Sequence, residues 1–229
     1  MKKIAIITAR GGSKRIPRKN IKEFCGQPII KYSIDAALNS CLFDEVMVST
    51  DDEEIAEIAK KFGAKVPFMR SSVTSNDYAT TADVINEVLD EYEKRDLMFD
   101  YFCCIYPTAP FVTRDKLVNT FNLLVDKAGD SLIPVVKYSF PPQRCIVIDN
   151  EYAKMKWPEN MNIRSQDFEP IYHDCGQFYW MKSEAIKKYR MLLTCHTIPF
   201  VISEMEVQDI DNDEDWLLAE LKYKMLLRK

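Results

Sequence analysis

"KIAIITARGGSKRIPRKN", Lys3 to Asn20, decides the fold. Ile4 to Ala9 is a short apolar run, and it stops at Arg10-Gly11-Gly12. Such a run ending at glycines reads as a buried strand that feeds a loop. Ligands of open parallel sheets gather beyond the carboxyl ends of the strands, so the loop occupies a binding position. It carries the charge-assisted donors Arg10, Lys14, Arg15, Arg18 and Lys19, and a neutral donor, Ser13. Gly11 and Gly12 let backbone N–H groups approach an anion closely. A triphosphate suits that set; a solvated basic turn is the plain alternative. Neither the Walker pattern G-x-x-x-x-G-K-[ST] nor the dinucleotide pattern G-x-G-x-x-G is present.

Outward from this stretch, strands and helices alternate. Pro28 to Leu38 has helical spacing, with Ile30, Ile34 and Leu38 on one face. Val46 to Ser49 reads as a second strand. Asp52 to Ala64 is a helix with acids first, lysines last and a stop at Gly63. Lys65 to Arg70 reads as a short strand. Asp77 to Arg95 is a capped amphipathic helix. Tyr101 to Phe111 is a buried strand that breaks at prolines, and a helix starts from Thr113 as N-cap. Ser131 to Tyr138 is a further strand. The strands are continuous apolar runs, so the expected fold is α/β, a mostly parallel sheet with helices on both faces.

The rhythm breaks over residues 138–172, which are richer in proline and polar residues. This segment reads as an excursion, an extended hairpin too small to fold alone. It could close over a ligand, dock on another subunit, or both. Strand and helix resume at Gly176, and a last amphipathic helix follows an acidic turn.

The whole-chain numbers narrow the function. The 229 residues fit one domain, and 47% apolar residues supply its core. A net charge of −4 argues against general attraction to nucleic acid, so the basic loop acts locally. Seven cysteines are an odd number, and Cys103-Cys104 lie in a strand, so no disulfide scaffold is expected. The apolar run after Met1-Lys2-Lys3 is too short for a signal peptide, and no stretch reaches a membrane span. The expectation is a reduced, cytoplasmic protein.

"VQDIDNDEDW", Val207 to Trp216, is the second chemical signal. If Val207 to Ile210 is a strand, Asp209 and Asp211 point to one side. Paired hard oxygens suit Mg²⁺, which would bridge to substrate phosphates. The plain alternative is a solvated turn that caps the last helix through Asn212 or Asp213. Both readings can hold, because different residues serve each. Cations for phosphates and carboxylates for a metal together suit nucleotidyl transfer. His173 and His196 match no zinc spacing. Cys175, Met155, Trp157 and Met161 read as packing residues.

"ARGGSKRIPRKNI", "VSTDDEEIAEIAKKFGAKVPFMR", "PTAPF" and "VQDIDNDEDW", in this order, resemble the CMP-sialic acid synthetase family of acylneuraminate cytidylyltransferases. The resemblance covers nearly the whole chain, and "FPPQR" and "HDCGQFYW" look most like pseudaminic acid cytidylyltransferases. It implies a Rossmann-like fold of the nucleotide-diphospho-sugar transferase type. It implies that a nonulosonic acid attacks the α-phosphate of CTP, that pyrophosphate leaves, and that Mg²⁺ is required. By matching position, Arg10, Gly11, Gly12, Ser13 and Lys14 surround the phosphates. Lys19 contacts them and Asn20 positions them or the ribose. Arg70 reads the cytosine edge, and Thr80 or Thr81 adds a base or ribose contact. Asp209 and Asp211 hold the metal, with Asp209 also a base. Arg144 and Arg164 serve the sugar carboxylate, and Gln177 and Tyr179 line the sugar pocket. The family's mid-chain excursion implies a homodimer.

This chain has Tyr106 where sialic acid members have glutamine, which weakens a plain N-acetylneuraminic acid assignment. The legionaminic and other sialic-type acids stay open, with 3-deoxy-manno-octulosonic acid ranked below. A non-catalytic nucleotide sensor is disfavoured by the presence of both Asp209 and Asp211. A nucleic-acid module is disfavoured by the acidic balance and by the lack of an aromatic platform.

Overall fold

The computed structural model describes residues 1–227. In chain order the elements are β1 (Lys3–Thr8), β2 (Glu23–Phe24), β3 (Gln27–Pro28), α1 (Ile29–Ser40), β4 (Glu45–Ser49) and α2 (Glu53–Lys61). Then come α3 (Ser72–Ser75), α4 (Thr81–Glu93), β5 (Tyr101–Ile105), α5 (Arg114–Asp126) and β6 (Ser131–Lys137). The excursion holds β7 (Ile146–Asp149) and β8 (Tyr152–Met155). The chain closes with β9 (Tyr172–Asp174), β10 (Phe178–Lys182), α6 (Ser183–Tyr189), β11 (Thr197–Val201) and α7 (Asp213–Leu227).

Local chemistry explains the helix starts. The Asp52 carboxylate accepts from Ile55 N at the head of α2, and the Thr113 hydroxyl accepts from Lys116 N at the head of α5. Thr80 and Asp83 form a reciprocal capping box on α4. Gly63 ends the α2 turn at φ +91°, where a side chain would be strained.

The central sheet has the order β11-β6-β10-β5-β1-β4, with β9 added to β6. Strands β1, β4, β5, β6 and β11 share one direction, while β9 and β10 run against it. Both faces are covered. Ala5 and Ile7 face α1 and α5 with Ile30, Ile34, Leu117 and Trp180. Ile4 and Ile6 face α4 and α6 with Ile85, Phe102, Met181 and Ile186. Each buried isoleucine is worth about 1.5–3 kcal/mol of transfer free energy, so β1 is the fold's anchor. A third core joins Ile16 of the opening loop to Phe24, Ile29, Ile210 and Trp216. It therefore draws the segment between Asp209 and Asp211 against the loop.

Three local expectations are corrected. Lys65–Arg70 makes no strand, only a parallel bridge from Lys65 to Met47. Val207–Ile210 joins no ladder. Leu38 is exposed, and Ala37 takes the inward position. The excursion does form a hairpin, with Asn150 and Glu151 both at positive φ in the turn. Ile146, Ile148, Trp157 and Met161 stand open to solvent on it, so the packing role expected for Trp157 and Met161 is not met within this chain.

Candidate active site

The loop after β1 is held from three sides. Asn20 Nδ2 donates to Arg10 O at 2.8 Å, and Gly11 N donates to Asp51 Oδ1 at 2.8 Å. Arg18, itself at φ 55°, grips Asp52 and Glu54 at the start of α2. The hydrogen bond from Arg18 holds the Asp52 carboxyl below its ordinary range. Gly11 is required by the protein itself, since a Cβ there would lie 2.7 Å from Asp52 Oδ2. Gly12 faces open space and is free to approach a ligand. Arg18 is thus a strut, while Arg10, Lys14, Arg15 and Lys19 face a cavity of about 500 Å³.

The acid pair closes one side of the loop. Lys19 Nζ donates to Ile210 O at 2.6 Å and lies 3.9 Å from Asp211 Oδ1. Arg15 pairs with Asp211 Oδ2 at 2.6 Å. Burial pushes the Lys19 amine down, and Asp211 and Asp209 counter it. Burial raises the Asp209 carboxyl above its ordinary range, and the charge of Asp211 adds to the rise. The helix cap is separate chemistry. Asp215 N donates to Asn212 Oδ1 at 2.9 Å, and Asn212 N returns to Asp215 Oδ2 at 3.1 Å. Asn212 is therefore the cap, and the Asp211 carboxylate takes no part in it.

A second cavity of about 250 Å³ shares Thr8, Arg10 and Asp77 with the first and adds Arg70, Thr81 and Val84. Arg70 is buried; its Nε donates to Ser49 Oγ at 3.0 Å and its Nη2 to Ser49 O at 2.6 Å. Burial lowers the guanidinium to about 10, with Asp51 and Glu87 opposing. The Thr81 hydroxyl lies 2.9 Å from Tyr106 Oη, and Tyr106 sits edge-on to Tyr179. Tyr179 donates to Asp174 at 2.7 Å. Burial raises both phenols, so both stay neutral donors. A larger hollow of about 660 Å³ lies against α4, but Glu87, Asp90 and Glu91 among its walls do not suit a polyanion.

The sequence-predicted residues divide accordingly. Arg10, Ser13, Lys14, Lys19 and Asn20 line the larger cavity; Arg70 and Thr81 line the smaller. Thr80 is spent on the α4 cap. Gln177 is buried, with its amide donating to Glu206 O and its Oε1 unpartnered. Tyr179 reaches the cavity only through Tyr106. Arg144 bonds Ser165 and Arg164 bonds Asp167 within the excursion, and neither lines these cavities. Sequence reasoning missed Asp77, Tyr106 as a wall, and the use of Arg15. The helix expected over 77–95 begins only at Thr81, and Asp77 lies on the turn that Ser75-Asn76-Asp77 signals.

Comparison with known proteins places the chain in a family. A sequence profile of the cytidylyltransferase family matches residues 4–209. A pseudaminic acid cytidylyltransferase of Campylobacter jejuni is 40% identical over 226 residues, covering 98% of this chain and 97% of its own. A CMP-N,N'-diacetyllegionaminic acid synthase of Legionella pneumophila is 34% identical, covering 96% and 95%. The fold matches a solved CMP:2-keto-3-deoxy-manno-octonic acid synthetase in complex with CTP at a TM-score of 0.70 and 18% identity, over 100% of both chains. The basic loop, the buried Arg70 and the acid pair thus lie on a shared scaffold, and this chain belongs to the cytidylyltransferase family, the CTP-dependent nucleotidyltransferases.

Proposed function

We propose that the enzyme joins CMP from CTP to the anomeric hydroxyl of a nonulosonic acid, pseudaminic acid being the best match, with release of pyrophosphate. The observation that carries this is the meeting of the basic loop and the acid pair, Arg15 to Asp211 at 2.6 Å, beside the cavity that holds Arg70. The substrate follows the relatives' names, 40% identity to a pseudaminic acid enzyme against 34% to a legionaminic one.

Arg70 and Thr81 receive cytosine and ribose. Arg10, Lys14 and Lys19 hold the triphosphate, with Ser13 and Gly12 close to it. Asp209 and Asp211 fit Mg²⁺ by donor chemistry. The charge of Asp211 acts on Asp209, and no third His, Cys, Asp or Glu joins the pair in a metal-binding group among the described residues. The remaining ligands would be phosphate and water oxygens, as Mg²⁺ prefers. When bound, the ion neutralises charge that develops on the phosphates. The sugar hydroxyl oxygen bonds to the α-phosphorus as the bond to the pyrophosphate oxygen breaks, and Asp209 takes the hydroxyl proton. Lys19 stays fixed by Ile210 O and stabilises the departing oxygens.

The excursion's exposed Ile146, Ile148 and Tyr152 support a homodimer, in which Arg144 and Arg164 of a second copy serve the sugar carboxylate. Seven unpaired cysteines support a reducing, cytoplasmic setting, and no described helix is long and apolar enough to cross a membrane. The test is incubation with CTP, Mg²⁺ and a panel of nonulosonic acids. Pyrophosphate release with pseudaminic acid, absent with UTP, is expected; equal rates with UTP would overturn the reading.

A further inference from the structure

Asp77 lies outside the helix that follows it, on the turn between α3 and α4. Its Oδ1 accepts from Arg10 Nη1 at 2.8 Å, and its Oδ2 accepts from Lys14 Nζ at 2.5 Å. The same Arg10 nitrogen reaches Asn76 O at 3.3 Å. The turn is itself fixed, since Asn76 Oδ1 accepts from Tyr78 N at 2.8 Å and from Ala79 N at 3.0 Å. Asp77 also lines both cavities, where they meet.

We propose that Asp77 is a positioning residue for CTP, a fixed carboxylate that aims Arg10 and Lys14 at the triphosphate. The proposal rests on the nucleotidyl-transfer reading above. Arg and Lys side chains carry large rotamer freedom, and ordering them on ligand binding weakens affinity. Asp77 orders both beforehand. Arg10 has five N–H donors and Lys14 three, so each keeps donors for phosphate while bonded to Asp77. The two cations in turn hold the Asp77 carboxyl below its ordinary range, Lys14 first and Arg10 second, so it is charged at neutral pH.

One other role fits the same contacts, an internal anion that occupies the phosphate position and must be displaced. The two make opposite predictions. The experiment titrates CTP with Mg²⁺ into the full chain and into Asp77→Asn, then measures steady-state rates and thermal unfolding for both. Positioning predicts that CTP binding weakens about five- to a hundredfold, the scale of leaving two rotamer-rich side chains to be ordered on binding. The Michaelis constant for the sugar and the unfolding temperature should stay unchanged, because Asp77 is an exposed loop residue. Asp77→Glu should recover part of the affinity. In a Lys14→Ala background the Asp77→Asn penalty should shrink, because the two act through one contact. CTP binding that is unchanged or tighter in Asp77→Asn would overturn the proposal. A wild-type chain that fails to bind CTP would instead overturn the reading beneath it.

Discussion

Arg15 Nη1 lies 2.6 Å from Asp211 Oδ2, so a cation of the basic loop rests on one of the two acids assigned to the metal. The Arg15 side chain is 69% exposed, and an exposed pair of this kind is worth about 0–1 kcal/mol. That is small enough for a divalent ion to displace. Arg15→Ala should therefore lower the half-saturating Mg²⁺ concentration, by no more than about fivefold. A rise in that concentration would show Arg15 to be a ligand of the triphosphate instead.

Asp211 and Asn212 are neighbours with separable jobs. Asp211→Ala should abolish turnover and leave thermal stability unchanged, because its carboxylate takes no part in the helix cap. Asn212→Ala removes the acceptor for Asp215 N and should cost about 1 kcal/mol of stability. Its effect on kcat should be slight. Paired melting curves and rates check both, and equal effects on both properties would refute the division.

Arg70→Ala should raise the Michaelis constant for CTP about tenfold or more, since a buried charged donor is lost from the smaller cavity. Arg70→Lys should recover little, because one ammonium cannot reproduce the fork onto Ser49 Oγ and O. Initial rates against CTP at saturating sugar give the answer.

The two loop glycines should differ. Gly11→Ala places a Cβ 2.9 Å from Asp52 Cβ, so the loop or the head of α2 must shift, and the variant should melt lower. Gly12→Ala meets nothing and should melt normally, while binding CTP more weakly. Melting temperature beside CTP affinity separates these outcomes.

The Arg18–Asp52 pair gives a pH test. Arg18 depresses the folded Asp52 carboxyl, so its stabilisation is present above the unfolded value near ~3.9 and is lost as pH falls through the lower folded value. Arg18→Ala should therefore be less stable than wild type at pH 7, with the difference narrowing below about pH 4. Denaturant midpoints across pH 3–7 measure it, and a difference that widens on acidification would exclude the link.

Much of this was readable in the sequence, because the signals are local. Ile4–Ala9 with Gly11-Gly12 marks β1 and its loop, and Thr113 is a cap whose partner lies three residues away. Thr80 is the counter-example, a residue expected at the ligand that caps α4 instead. Val207–Ile210 misled because its two apolar residues permit a strand, yet both turn inward three positions apart, which a strand's alternation does not allow on one face. No neighbour strand pairs with them, and Asp211 N and Asn212 N turn to the Asp215 carboxylate instead. Charge complementarity between loop and acids was legible. The contact that realises it was not, since Ile16 and Ile210 meet through a core drawn from both ends of the chain. Asp77 was hidden for a similar reason: its partners Arg10 and Lys14 lie far away in sequence.

The excursion has one further consequence. It leaves the sheet at Lys137 and returns at Tyr172, and these two residues face each other in antiparallel register. Its two ends are thus already a hairpin's width apart. A short primed turn joining Lys137 to Tyr172 would close the chain without moving β6 or β9. In engineering terms the segment 138–171 is a detachable cassette. A shortened chain should fold and bind CTP, and under the homodimer proposed above it should do so as a monomer.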